Sequence, residues 1–371
     1  MLLKDIKIEL KDNDSRFILK RAKTSENDFL NRKMPVINPI YQCEKNRERY
    51  GKTMFDSPIQ VHNLRWDTVK KKWDYTSLEE AKEHAIKYNR IFLARKQMNW
   101  EQWQELTLSK SYYNFEDMLN RGMNNLTLEI PITANLEEFK KLKEDANSVL
   151  NKSQRLMPIL STRHNPENFS QIMEHEFERS KFIGLNGYSI NREIEPYALV
   201  NLSKFRSLNF NLNMDGNIPL NFIFNYPRVL IKHSNIAGSF AYSCFGGDVF
   251  VEKTTFLEGM PDKVIKEMMN KSPDEFYYYD IRQKSFNKSY NQEKYYNINL
   301  TKQFMQTVNV AEGLTAYETL RWKAHQQQQD DFLYINNLIM ENKILMQEIL
   351  NHSGWNVFWD KVVKPSFTYE V

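Results

Sequence analysis

Between Leu126 and Val251 short apolar runs alternate with amphipathic helical text, and this alternation restricts the chain more than any other feature. LTLEIPIT (Leu126–Thr133), RLMPILST (Arg155–Thr162) and KFIGLNGYSI (Lys181–Ile190) read as strands. Asn135 caps the helix LEEFKKLKEDANSVLN, and Asn165-Pro166 opens ENFSQIMEHEFER with proline at a tolerated first-turn position. EPYALVNLSKF is a further helix, SLNFNLNMD and PLNFIFNYP read as strands four and five, and SFAYSCFGGDVF closes the series. Strands alternating with helices at this spacing predict parallel pairing with right-handed crossovers, and near-continuous apolar strands predict burial on both faces. The expected fold is α/β, a (β/α)8 TIM-like barrel with a doubly wound open sheet as the alternative.

The flanking text is less regular. Residues 1–110 are read as an N-terminal region contributing early barrel strands and loops, residues 111–260 as the barrel units, and residues 261–371 as an aromatic arm and helical C-terminal region. Ile6–Leu10 alternates like a strand, and Pro35, Pro39 and Pro58 mark loop-rich text after it. Thr76-Ser77 starts a helix read through LEEAKEHAIKYNRIFLA, and a short helix covers Trp100–Leu106. Beyond Val251, EFYYYD and KSFNKSYNQEKYY read as an aromatic hairpin or extended arm, and residues 300–350 as mostly helical. Leu320, Phe332, Ile335, Leu338, Ile339, Leu345 and Ile349 form an apolar stripe that suits packing.

Composition excludes little. The 371 residues are 41% hydrophobic, enough for a sizeable core, and no run is long or apolar enough to span a bilayer. The charged N-terminus lacks the apolar middle of a secretion signal, so a cytoplasmic protein with no membrane role is expected. Cys43 and Cys244 supply neither a disulfide framework nor a metal set. No Walker loop, G-x-G-x-x-G, H-E-x-x-H or C-x-x-C occurs, so neither cofactor nor metal is expected. A net charge of +4 permits a nucleic-acid partner without requiring one, and a homo-oligomer is equally permitted. Tyr277, Tyr278, Tyr279 and Tyr290 with Lys284 and Lys288 suit base stacking and phosphate contact, or plain core packing.

In a parallel barrel the reacting groups gather at the carboxyl ends of the strands. Glu129, amid apolar neighbours, is either a buried acid or base or a strand-end carboxylate paired with a cation. Arg163 and His164 form an anion site or a capping loop. Asn186, Asp215 and Asn225 follow strands three, four and five as substrate-binding candidates. Asp248, after Gly246 and Gly247, is a nucleophile or orienting carboxylate at the tip of the last strand, or an Asp in a glycine turn.

The segments LMPILSTRHN, FIGLNGYSI and NFIFNYPRVLIKHSNIAGSFAYSCFGGDVF, followed by FYYYD and KSF, resemble in order the later half of the tRNA-guanine transglycosylase superfamily. That superfamily includes queuine and archaeosine enzymes and relatives that insert 7-deazaguanines into DNA. The resemblance implies a transferase that replaces a guanine in tRNA or DNA with a 7-deazaguanine, a purine-like base, through a carboxylate nucleophile. It assigns the nucleophile to Asp248 or Glu252 and an acid/base role to Glu129. Asn186 and Asn225 would then bond the base, and Arg163 and His164 would hold phosphate. The family's nucleophile directly follows the Phe of G-x-D-x-F; here Val251 holds that place, Glu252 is next, and Asp248 matches the earlier Asp. D-S-G-G-F has no clear counterpart in residues 1–125, and the zinc cysteines are absent, so no zinc is expected. The alternatives are a non-enzymatic nucleic-acid-binding or assembly protein, and an unrelated barrel enzyme for small phosphorylated metabolites.

Overall fold

A computed structural model describes residues 3–12, 17–24, 28–30, 34–36, 59–67, 69–76, 78–87, 90–187, 196–212, 216–225, 242–251, 276–280, 285–289, 334–341 and 348. The chain starts with an antiparallel meander of β1 (Leu3–Asp12), β2 (Phe17–Thr24) and β3 (Asp28–Leu30). Then come β4 (Met34–Val36), β5 (Ile59–Leu64) and the small hairpin of β6 (Trp66–Asp67) and β7 (Lys72–Trp73). Helix α1 (Leu78–Lys87) leads to β8 (Ile91–Lys96), followed by α2 (Trp100–Gln104) and α3 (Leu108–Asn120). The regular part is β9 (Asn125–Glu129), α4 (Leu136–Ser148), β10 (Arg155–Ser161), α5 (Pro166–Phe177), β11 (Phe182–Asn186), α6 (Pro196–Phe210), β12 (Leu220–Phe224) and β13 (Val249–Val251). An antiparallel hairpin of β14 (Phe276–Asp280) and β15 (Ser285–Ser289) follows.

Local chemistry explains the regular part. Asn99 with Gln102 and Asn135 with Glu138 form reciprocal capping boxes at α2 and α4. Thr107 caps α3, and Asn165 caps α5 just before Pro166. Between these helices the apolar runs pair into one six-stranded sheet, ordered β4-β13-β12-β11-β10-β9, with every neighbouring pair parallel. The parallel α/β architecture expected from the alternation is therefore present. Strands β5 and β8 form a second parallel pair. This pair runs beside β9, where the Asn125 side chain donates to the Phe92 carbonyl at 2.8 Å. Among the described residues no ladder of hydrogen bonds joins the pair to the main sheet.

Register fixes which side chains share a face. Glu129, Ile159, Gly184, Phe222 and Val249 stand in one row across five strands. Two residues further on, Ser161, Asn186, Phe224 and Val251 repeat that face nearer the carboxyl ends. The intervening row of Leu160, Leu185, Ile223 and Phe250 points the other way and is fully buried. Gly184 makes room on the first face: a Cβ there would lie 2.6 Å from Ile159 Cγ1 and 3.1 Å from Phe224 Cε2. Across that face lies β8, whose Arg95 guanidinium sits 4.3 Å from the centre of the Phe224 ring.

Several expected elements are corrected. SLNF is not a strand but the last turn of α6, and the chain leaves the helix at Asn211. NRIFLA does not prolong α1; Ile91–Lys96 is the strand β8. In FAYSCFGGDVF, residues 242–244 are helical, and the strand begins only after Gly-Gly-Asp. Residues 334–340 are helical, with Ile335 and Ile339 buried as the stripe requires. The rest of the C-terminal helical text falls outside the described residues.

Candidate functional site

Four buried polar side chains stand at the carboxyl ends of the parallel strands. Glu129 ends β9, Asn186 ends β11, Asn225 follows β12, and Arg95 enters from β8. All four are buried. Asn225 turns back toward its neighbour because its φ is 54°, a left-handed conformation that asparagine tolerates better than most residues. Its Nδ2 donates to Asn186 Oδ1 at 3.0 Å. Asn186 is paired in register with Phe224, and Phe224 carries Arg95 on its ring. The set is thus linked from one strand to the next.

The electrostatics are those of a buried interior. Burial pushes the Glu129 carboxyl above its ordinary range, and the Arg95 guanidinium pulls it only partly back. Burial also brings Arg95 down to about 10, with Glu129 as its opposing charge. The two side chains are not in ion-pair contact, so each feels the other across a gap. Glu129 Oε1 accepts from the Thr127 hydroxyl at 3.1 Å, and its main-chain carbonyl accepts from Ser111 of α3. A buried carboxyl with a raised pKa, facing a cation it does not touch, is suited to handing over a proton.

His164 and Arg163 do not form the expected phosphate clamp. His164 Nε2 donates to the Ala134 carbonyl at 2.8 Å, and burial lowers the ring's proton affinity. Asn201 of α6 donates to the carbonyls of Thr162 and His164, each at 2.8 Å. His164 therefore ties together the loops after β9 and β10, as in the capping alternative. Arg163 lies half-buried at the rim, its guanidinium 4.2 Å from the centre of the Trp100 ring.

Asp248 is at the wrong end. It precedes β13, so it lies at the amino end of the sheet, opposite the end that carries Asn186 and Asn225. There Oδ2 accepts from Lys20 Nζ at 2.7 Å and from the Asn221 main-chain N–H at 2.9 Å. A nucleophile at the strand tips is excluded for this residue, because the glycines open β13 instead of closing it. Gly246 has the φ of 95° that such a turn needs. Asp215 and Glu252 lie outside the described residues.

Arg95, Lys96 and Phe224 were not among the sequence candidates. Lys96 Nζ pairs with Asp117 at 2.7 Å and donates to Asn114 Oδ1, both on α3, so it fastens the helix layer. Arg95 faces Phe224. The signal available in the sequence was the basic pair closing the apolar run IFLARK.

A second feature lies at the amino ends of β10 and β11. A groove of about 790 Å³ is lined by Lys140, Lys143, Lys152, Arg155, Arg179 and Lys181 among others. Much of this charge has local work. Lys143 bonds both oxygens of buried Glu176 at 2.7 Å, Arg155 donates to the carbonyls of Lys152 and Gln154, and Arg179 donates to the carbonyl of His175. Arg179, just past α5, also suits the negative end of that helix.

Among the described residues no cluster of three or more His, Cys, Asp or Glu is placed to hold a metal ion, and no helix is long and apolar enough to cross a membrane. No protein-family model matches the chain, and no curated protein matches it.

Proposed function

We propose that the chain is a base-exchange transglycosylase acting on nucleic acid, built on a closed (β/α)8 barrel. The strands β4, β5 and β8 to β13 supply the eight staves. Closure between them is supported by β8 running beside β9 and by Arg95 reaching Phe224 across the sheet. The observation that carries the functional reading is the meeting of Glu129, Arg95, Asn186 and Asn225 at the carboxyl ends, where barrel enzymes place their chemistry. A binding or assembly protein needs no such gathering of buried polar groups.

In this reading a carboxylate oxygen bonds to the sugar's anomeric carbon as the bond to the guanine nitrogen breaks. Glu129, whose proton affinity burial raises, gives its proton to the departing base. It then takes the proton from the incoming 7-deazaguanine, whose nitrogen bonds to the same carbon and releases the carboxylate. Asn225, fixed by its bond to Asn186, offers its side-chain carbonyl to the edge of the base. Glu252, next in the chain after β13, is the nucleophile to test. A base within a duplex has to be turned out of the stack first.

The experiment is incubation of the full chain with tRNA or DNA and a labelled guanine or 7-deazaguanine. Label should enter the polymer, and Glu129→Gln and Glu252→Gln should each abolish entry while the protein stays folded. Absence of incorporation on every polymer, or incorporation unaffected by both substitutions, overturns the proposal.

A further inference from the structure

The Arg95 guanidinium presents one face to Phe224, which leaves its edges to find partners. On one edge, Nε and Nη2 are buried and have no hydrogen-bond partner among the described residues. These two nitrogens are neighbours, and their N–H bonds point the same way, as a fork that fits two oxygens of one planar or tetrahedral anion. Nearby, Asn186 Nδ2 is likewise buried without a partner, because its amide is oriented by the bond from Asn225 to Oδ1. Three donors on one side of the sheet thus lack an acceptor. Folded proteins rarely leave such groups unsatisfied, and a buried cation without a contacting anion is the most unfavourable case. Glu129 does not fill the place, since it makes no ion pair with Arg95 and its Oε1 is taken by Thr127.

We infer that Arg95 and Asn186 form a receptor for a single oxyanion, a carboxylate or phosphate group of the ligand, docked on the Nε–Nη2 edge. Stacking on Phe224 holds the guanidinium plane, so the fork is set before the ligand arrives. This site lies at the same strand ends as the base-exchange reading and does not depend on its chemistry; a base-exchange enzyme and a small-metabolite enzyme would both use it.

The test is a melting titration of the full chain with inorganic phosphate and, separately, with benzoate, against sodium chloride at matched ionic strength and with no nucleic acid present. Wild type should show a saturable rise in Tm with at least one of the two anions, and the preferred anion tells phosphate from carboxylate. Arg95→Met should remove the rise, and in the absence of anion it should melt no lower than wild type. Arg95→Lys keeps the charge but loses the fork, and should weaken binding about tenfold. Asn186→Ala should weaken it less. If Arg95→Met fails to fold, Arg95→Lys and Asn186→Ala carry the comparison. No saturable rise in wild type with either anion, or the same midpoint in Arg95→Lys as in wild type, overturns the inference. Base exchange is read by incorporation of label, so either idea can fail while the other stands.

Discussion

Lys20 Nζ and Asp248 Oδ2 meet at 2.7 Å with both side chains sealed from solvent, 228 residues apart in sequence. Lys20 also donates to the Pro219 carbonyl at 2.8 Å, so the amino-terminal meander is bolted to the bottom of β12 and β13. Burial lowers the lysine's proton affinity, and the Asp248 charge works against that loss. The pair is architectural.

Removing one partner should therefore unfold more than it inactivates. Asp248→Ala leaves a buried ammonium without its charge partner and should cost about 3–5 kcal/mol. Lys20→Met should cost a similar amount. The double variant Lys20→Met with Asp248→Asn keeps an acceptor for Asn221 and removes both charges, so urea denaturation should find it more stable than either single charge deletion. Losses that simply add would show that the two groups are not coupled.

Gly184 admits no side chain. Ala at this position would press on Ile159 Cγ1 at 2.6 Å and on Phe224 Cε2 at 3.1 Å, and should cost about 1–3 kcal/mol. Combining Gly184→Ala with Ile159→Ala opens the space again, and the double variant should lose less than the sum of the two single losses in the same melts.

His62 predicts a dependence on acid. It is buried, and burial lowers its pKa from 6.5 to about 4, with Asp74 opposing part of the shift. Below pH 6.5 the unfolded chain takes up this proton while the folded chain resists it until about pH 4. Stability is thus fully present above the upper value and falls as the pH drops through this window, by roughly 3 kcal/mol at most. His62→Gln should flatten that part of the stability–pH curve relative to wild type. An unchanged slope would refute the assignment.

Asn225 separates backbone from side chain. Both Asn225→Gly and Asn225→Val lose the bond to Asn186, but only valine meets the left-handed φ of 54° with a branched Cβ. Valine should be less stable than glycine by about 1–2 kcal/mol. Equal melting temperatures for the two would mean that the turn relaxes at no cost.

The legible part of the fold was the part with local punctuation. β9, β10, β11 and β12 are apolar runs bounded by polar turns, and Asn135 and Asn165 announce the helices between them. α6 is hard to read because its buried face mixes polar with apolar residues: Leu202 and Phe205 are buried, and so are Asn201, Ser203, Arg206 and Asn209. A buried face of mixed polarity blurs the helical period, so its last residues, SLNF, read as an alternating strand. FAYSCF is short and apolar, a length at which strand and buried helix look alike. That ambiguity moved Asp248 from the bottom of a strand to the top. At the carboxyl ends, Glu129, Asn186 and Asn225 are legible as polar residues that close or follow strands. Arg95 was not, because its strand was read as the tail of α1 and because facing Phe224 is a property of the assembled sheet.

The long reach of Lys20 also bears on how the molecule comes into being. The meander leaves the ribosome early, yet the carboxylate that neutralises its lysine is translated only 228 residues later. Until then the ammonium has to stay wet, and the floor of the sheet stays ajar. Contacts this distant make for late, slow completion of folding, and a nascent chain halted short of Asp248 would keep its first strands waiting for a lock that never arrives.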